Sequence, residues 1–334
     1  MRINELREEL NKYDSSDLRE IIVALYKLIP KAKKEDSGLD ELLKNFTGGK
    51  SKPTKKADTV DFASLKREIN QFLEYADAQY YFAPNKYVRK EKRSKWRFEV
   101  KGFIKQLLSV GGENSEEAAK LLVEIYNMLS YACHYYVFTS VNPISVLKYR
   151  QADLLGEVLA KLFYSGYSEE TIKVATYLTL DSNVDRETLH GELFYVLLEA
   201  LKTPDTKMMA LKYCEEFPKK YYDYQSSKQF FKISRSRSYF SSIDYRHMEH
   251  SNHAAEMYLL IKFALQEHEE GIEYFVKNTD EIDEEVVLYR LLLLLWDDEL
   301  NNLWIREYEK ALAAGVEPRE MLQREYLKRK NSGV

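Results

Sequence analysis

From Asp61 onward, apolar side chains return every three to four residues in one segment after another, and no segment alternates as a half-buried strand must. Phe62, Leu65, Ile69, Phe72, Leu73 and Ala76 form one such stripe. Ala118, Leu121, Leu122, Ile125, Met128 and Leu129 form another, and Leu154, Leu155, Val158, Leu159 and Leu162 a third. A stripe of that period escapes water only when helix packs on helix, so the chain is predicted to be all-α. Composition agrees: 12 Gly and 7 Pro in 334 residues are well under the roughly 7% and 5% of average usage, which argues against a turn-rich β architecture.

Start and stop signals divide the pattern. Ser115-Glu116-Glu117 and Ser168-Glu169-Glu170 each offer a capping hydroxyl followed by acids at the positive end of a helix dipole. Pro143 and Thr203-Pro204-Asp205 suit a first turn, and further starts are expected near Asp185, before Met248, near Asp283 and at Pro318. Glycines 111, 112 and 166 end segments. Recurring starts with short connections predict antiparallel helix pairs stacked in a solenoid-like array. The signatures of tetratricopeptide, HEAT, armadillo and ankyrin repeats are absent at any fixed period, so this describes a layout and assigns no family.

Three regions are expected. Residues 1–46 read as a small amino-terminal helical unit, in which Ile3, Leu6 and Leu10 are followed by a break at Tyr13 to Ser16 and then by Leu18, Ile21, Ile22, Leu25 and Leu28. Ser15 or Ser16 is expected to cap the second helix and Pro30 to end it; a third short helix is expected over 36–46. The helix pair loosely resembles the two-helix SAP module, which implies a DNA contact, but it lacks that module's glycine-bearing turn. Residues 47–60, with two Gly, one Pro and four Lys, have the composition of a flexible linker. Residues 61–334 are the helical array, interrupted near 221–245 by an irregular segment rich in Ser and aromatic residues.

Charge is distributed unevenly. Lys86 to Leu107 carries nine cations against Glu91 and Glu99, a local +7 in a chain whose net charge is −4. As one helix, it aligns Arg89, Arg93, Arg97, Lys101 and Lys105 in a basic ridge beside an apolar stripe of Trp96, Val100, Phe103, Ile104 and Leu107. Like charges at that spacing repel, so helix propensity does not account for them. The 221–245 segment adds Lys228, Lys232, Arg235 and Arg237 among Phe230, Phe231, Tyr239 and Phe240. From Glu267 to Glu309, by contrast, fourteen acids face three bases, a net of −11. The blander expectation is that the ridge packs on these acidic helices, within the chain or in a second copy.

Chemistry leaves few candidates. His247, His250 and His253 with Glu256 have helical spacings that suit metal ligation, although His253 also continues the line of Met257, Leu260 and Ala264 toward the core. His134, His190 and His268 are scattered. Walker, G-x-G-x-x-G, G-x-S-x-G, H-E-x-x-H and C-x-x-C patterns are all absent, and no cofactor is implied. Cys133 and Cys214 form no disulfide framework, and no apolar run approaches the length of a membrane span, so a cytoplasmic protein is expected. The 26 tyrosines spread along the chain and suit half-buried helix faces.

The function expected first is non-enzymatic: a helical scaffold or adaptor that presents a surface to a protein partner. Nucleic-acid binding through Arg89, Arg93, Trp96, Arg97, Lys101, Lys105, Lys232, Arg235 and Arg237 is the alternative. Self-association through the basic and acidic regions, and a metal-dependent enzyme built on the histidines, complete the set.

Overall fold

A computed structural model describes residues 12–29, 61–140, 142–227, 239–281, 283–296 and 300–332, with side chains at 15, 220–227, 239–248 and 332 left aside. These residues form fifteen α-helices and no strand. The chain divides into two units, Met1–Val60 and Asp61–Val334.

In the first unit, α1 (Ser15–Leu28) is capped by Asp14, whose carboxylate accepts from the Ser16 and Asp17 amides at 2.8 and 2.9 Å. The cap therefore falls one residue before the expected serines. An aspartate there also places negative charge at the helix's positive end. The helices expected over residues 3–10 and 36–46 and the linker 47–60 lie outside the described residues.

The second unit opens with α2 (Phe62–Asp77), α3 (Lys90–Arg93), α4 (Trp96–Ser109) and α5 (Ser115–His134). It continues with α6 (Pro143–Val146), α7 (Gln151–Leu162), α8 (Glu169–Leu180), α9 (His190–Ala200), α10 (Pro204–Ser227) and α11 (Tyr239–Ala264). Helices α12 (His268–Asn278), α13 (Glu284–Leu294), α14 (Asn301–Ala313) and α15 (Glu320–Ser332) complete it. Helices α2, α4 and α7 pack on α5, α9 packs on α7 and α11 on α9, while α10 packs on α8. From α11 to α15 each helix packs on the next.

Several boundaries differ from the sequence reading. The expected helix over 86–107 is broken at Ser94 and Lys95, so Arg89 and Arg93 do not share one ridge with Arg97, Lys101 and Lys105. The segment opened by Pro143 stops after one turn, and Lys148 takes a left-handed φ of 62° before α7 begins. Ser168 caps α8 as expected, its hydroxyl accepting from the Thr171 amide at 3.1 Å. At α5, however, Asn114 holds the cap position, and Ser115 starts the helix with its hydroxyl buried and unpartnered. Much of the irregular segment is helical: Tyr221–Ser227 extends α10 and Tyr239–Tyr245 begins α11. Lys228, Lys232, Arg235 and Arg237 lie outside the described residues.

Buried side chains form two clusters, one from α2 through α11 and the other from α11 through α15. Helix α11 belongs to both. Ala254, Met257, Tyr258 and Ile261 line the first core, while Ala255 and Leu259, one turn apart on another face, line the second.

Candidate functional site

The candidate site is built by the segment between α2 and α4. Asn85 organises it: its side-chain NH2 donates to the Tyr80 and Ala83 carbonyls, both at 2.7 Å, and its Oδ1 accepts from the Tyr87 and Val88 amides at 3.0 and 2.7 Å. Arg93 adds a second clasp, donating from Nε to the Val88 carbonyl at 3.1 Å and from a terminal nitrogen to the Asn85 carbonyl at 3.4 Å. Tyr81 and Val88 anchor the segment in the core. A loop tied at so many backbone groups is held in one shape before any ligand arrives.

On this frame the aromatic residues divide. Trp96, expected among the nucleic-acid-binding residues, is only 2% exposed and lies against Phe138, with ring centroids 3.9 Å apart and planes 11° apart. It is a core residue, as its place in the apolar stripe required. Tyr80 and Tyr87 instead stack near the surface at 4.6 Å and 11°, with Tyr75 beside them. Phe82 and Tyr136 stack at 5.4 Å, and Phe98 is exposed on α4. Sequence reasoning passed over Tyr80, Phe82, Tyr87 and Tyr136; the signal for the first three is the aromatic run that leads into the cation-rich stretch, and Tyr136 has none, being brought there by the fold.

The cations are interleaved with these rings. The Arg97 guanidinium lies 4.8 Å from the Phe98 ring centre, and the Lys86 ammonium 5.3 Å from that of Tyr87. Lys101 reaches the Leu147 carbonyl at 3.4 Å. Lys86, Arg89, Lys90, Lys95, Arg97 and Lys105 are exposed, and none has a carboxylate within 4.0 Å among the described residues. Glu99 is an acid of the face: burial pushes its carboxyl up, while nearby Lys92 and the Tyr81 hydroxyl pull it down.

The acidic carboxyl-terminal region finds its partners elsewhere. Lys262 binds Glu267 and Glu270 at 2.5 and 2.6 Å, and Arg306 binds Glu269 and Glu307. Arg319 binds Glu285 at 2.5 Å, and Arg290 binds Glu256 at 2.6 Å. No ion pair joins this region to the 86–105 face among the described residues, so the expected packing of ridge on acids within the chain is not found there.

The histidines form a separate cluster. His190, which the sequence left isolated, lies against His253 with ring centres 3.9 Å apart and planes tilted by 33°, and His250 lies 6.1 Å from His253. Two of them bind backbone carbonyls. His250 Nδ1 donates to the Leu180 carbonyl at 3.2 Å, satisfying an end-of-helix acceptor of α8, and His190 Nε2 donates to the Ser182 carbonyl at 2.9 Å. The segment after α8 is buried and held by side chains: Ser130 accepts from the Asn183 amide at 2.8 Å and Gln151 from the Asp185 amide at 2.8 Å. That is why α9 begins at His190 and not near Asp185. His253 is buried, its Nδ1 without a hydrogen-bond partner, and its pKa is held well below the ordinary histidine value by burial and then by His190 and His250.

Glu256 is tied to Arg290, and the His247 side chain is outside the described residues. Among the described residues no three His, Cys, Asp or Glu groups converge as a metal requires, so the expected ligand set is not assembled there. A concavity of about 560 Å³ between α5 and the start of α8 is lined by no His or Cys; its Ser168 and Thr171 hydroxyls bond to each other. No described helix is long and apolar enough to cross a membrane. The chain matches no family model, no curated protein and no solved structure.

Proposed function

We propose that this chain is a non-enzymatic binding protein, a solenoid-like array of helix pairs that holds the basic and aromatic face at residues 80–105 toward a polyanionic partner. One observation carries the reading: the exposed cations of this face have no carboxylate partners among the described residues, while Glu267, Glu269, Glu270, Glu285 and Glu307 of the acidic region pair with Lys262, Arg306 and Arg319. Unpaired like charges on adjacent turns cost a few tenths of a kcal/mol per pair, a cost that an anionic partner reverses. The packing of α5, α7, α9 and α11 in succession, with α8 and α10 beside them, supports the solenoid-like layout. An acidic protein surface, as the sequence first suggests, meets the charge requirement.

The test is retention on a heparin matrix, compared with a triple variant, Arg89→Glu, Lys95→Glu, Arg97→Glu. Arg93 is left intact because it clasps the loop. The wild type is expected to elute at elevated salt and the variant near the void, with unchanged circular dichroism. Equal elution of the two proteins defeats the reading.

A further inference from the structure

We propose that the polyanion is a single-stranded nucleic acid, whose phosphates are met by Arg89, Lys95, Arg97 and Lys105 and whose bases stack on Tyr87 and Phe98. This rests on the reading above and names its ligand. An acidic protein surface explains the cations but makes no use of flat rings set among them. Here Phe98 is 65% exposed and Tyr87 52% exposed, each with its own cation over the ring, Arg97 at 4.8 Å and Lys86 at 5.3 Å. A strand of nucleotides repeats this pairing, a charge on the backbone and a π face on the base.

The arrangement is also fixed in advance. Tyr80 closes one side of Tyr87 at 4.6 Å, and Asn85 and Arg93 hold the loop that carries both rings, so little further ordering is needed on binding. A duplex keeps its base faces inside its own stack and offers them to neither ring. Duplex readers instead insert an element into a groove, and α3, at four residues, is a single turn. Two exposed acids, Glu91 and Glu99, lie within the face, against eight exposed cations, and Glu99 is engaged by the Tyr81 hydroxyl.

The experiment is fluorescence anisotropy on the full chain with labelled oligothymidylate, a mixed-sequence duplex of equal length, and heparin as competitor, across a salt series. Oligothymidylate is expected to bind at least about tenfold more tightly than the duplex, with log affinity falling by about 0.7 per phosphate contact for each decade of salt. Tyr87→Ala and Phe98→Ala are each expected to weaken oligothymidylate about five- to hundredfold and to leave heparin affinity unchanged. Both side chains are exposed, so the fold survives their loss, which a thermal melt checks. If heparin binds but single strand and duplex bind alike and the ring variants are neutral, the inference fails and the charge-based reading stands, with an acidic protein as the partner class. If nothing anionic binds even at low salt, the charge-based reading itself fails.

Discussion

Trp96 and Phe98 are two residues apart on one helix, and that spacing sends them to opposite fates. Trp96 continues the stripe through Val100, Phe103, Ile104 and Leu107 and is buried against Phe138, whereas Phe98 points away from that stripe and stays exposed. The stripe was legible in the sequence; the partner Phe138 was not, because it lies in the irregular stretch after α5, where no periodicity points to a buried ring. Trp96→Ala is expected to cost about 3–5 kcal/mol, read as a lower denaturant midpoint in urea, because it removes a large side chain from a packed site. A loss below about 1 kcal/mol would show that Trp96 is not a core residue. Arg93 illustrates the opposite limit. Its charge is visible in sequence, but its partners are the backbone carbonyls of residues 85 and 88, and backbone acceptors carry no residue code.

Among the elements, the legible ones are those whose ends and stripes agree. Ser168 caps α8 with a hydroxyl and the apolar residues Ile172, Ala175 and Leu178 follow at helical spacing, so its start is placed correctly. The break between α3 and α4 was not legible: Lys90 to Arg97 contains no Gly or Pro, and the turn at Ser94 and Lys95 is set by tertiary contacts, with Arg93 reaching back to the loop and Trp96 turned into the core. Helix α11 was hard to read for another reason, since its apolar residues serve two cores and so trace no single stripe. Its Glu256 is bound by Arg290 of α13 through two nitrogens at 3.0 and 2.6 Å in a largely buried setting, where burial raises the carboxyl's pKa and the guanidinium lowers it. Arg290→Met is expected to lose about 3 kcal/mol of stability by leaving a buried charge unpaired, and Glu256→Leu combined with Arg290→Met to recover most of that loss. Differential scanning calorimetry of the two variants decides it, and equal melting of the single and double variants would exclude this account.

At the scale of the molecule, a histidine-lined joint links the α8–α9 segment to α11. His190 and His253 both have pKa values below the ordinary histidine value, principally through burial and then through neighbouring cations or imidazoles. The groups around them are His134, His250 and Arg290, with Asp181 near His250 at 3.7 Å. The unfolded chain takes up these protons near pH 6.5 and the folded chain does so only at lower pH, so stability is full above about pH 6.5 and falls as pH drops below it. Each such histidine contributes a slope of up to about 1.4 kcal/mol per pH unit. Urea midpoints measured from pH 7.5 to 5 are expected to decline below about 6.5, and His253→Gln to flatten the decline; a profile unchanged by that substitution would remove His253 from the account. The clustering of these residues illustrates what a sequence withholds, because His190 and His253 are far apart in the chain and only the packing of α9 on α11 brings their rings together.

Because α11 is the common wall of two cores, the order of synthesis leaves it half-covered. Its first face can be buried against chain already made, but Ala255 and Leu259 wait for Ile272, Phe275, Leu288, Trp304 and Leu322. At about 5–20 residues per second, the roughly sixty residues from the end of α11 to Leu322 take about 3–12 s to emerge. For that interval a nascent chain carries a folded amino-terminal core with a bare apolar strip along its last helix. A stop codon before α12 would make that strip permanent, because Ile272 and Phe275 of α12 are the first residues to cover it.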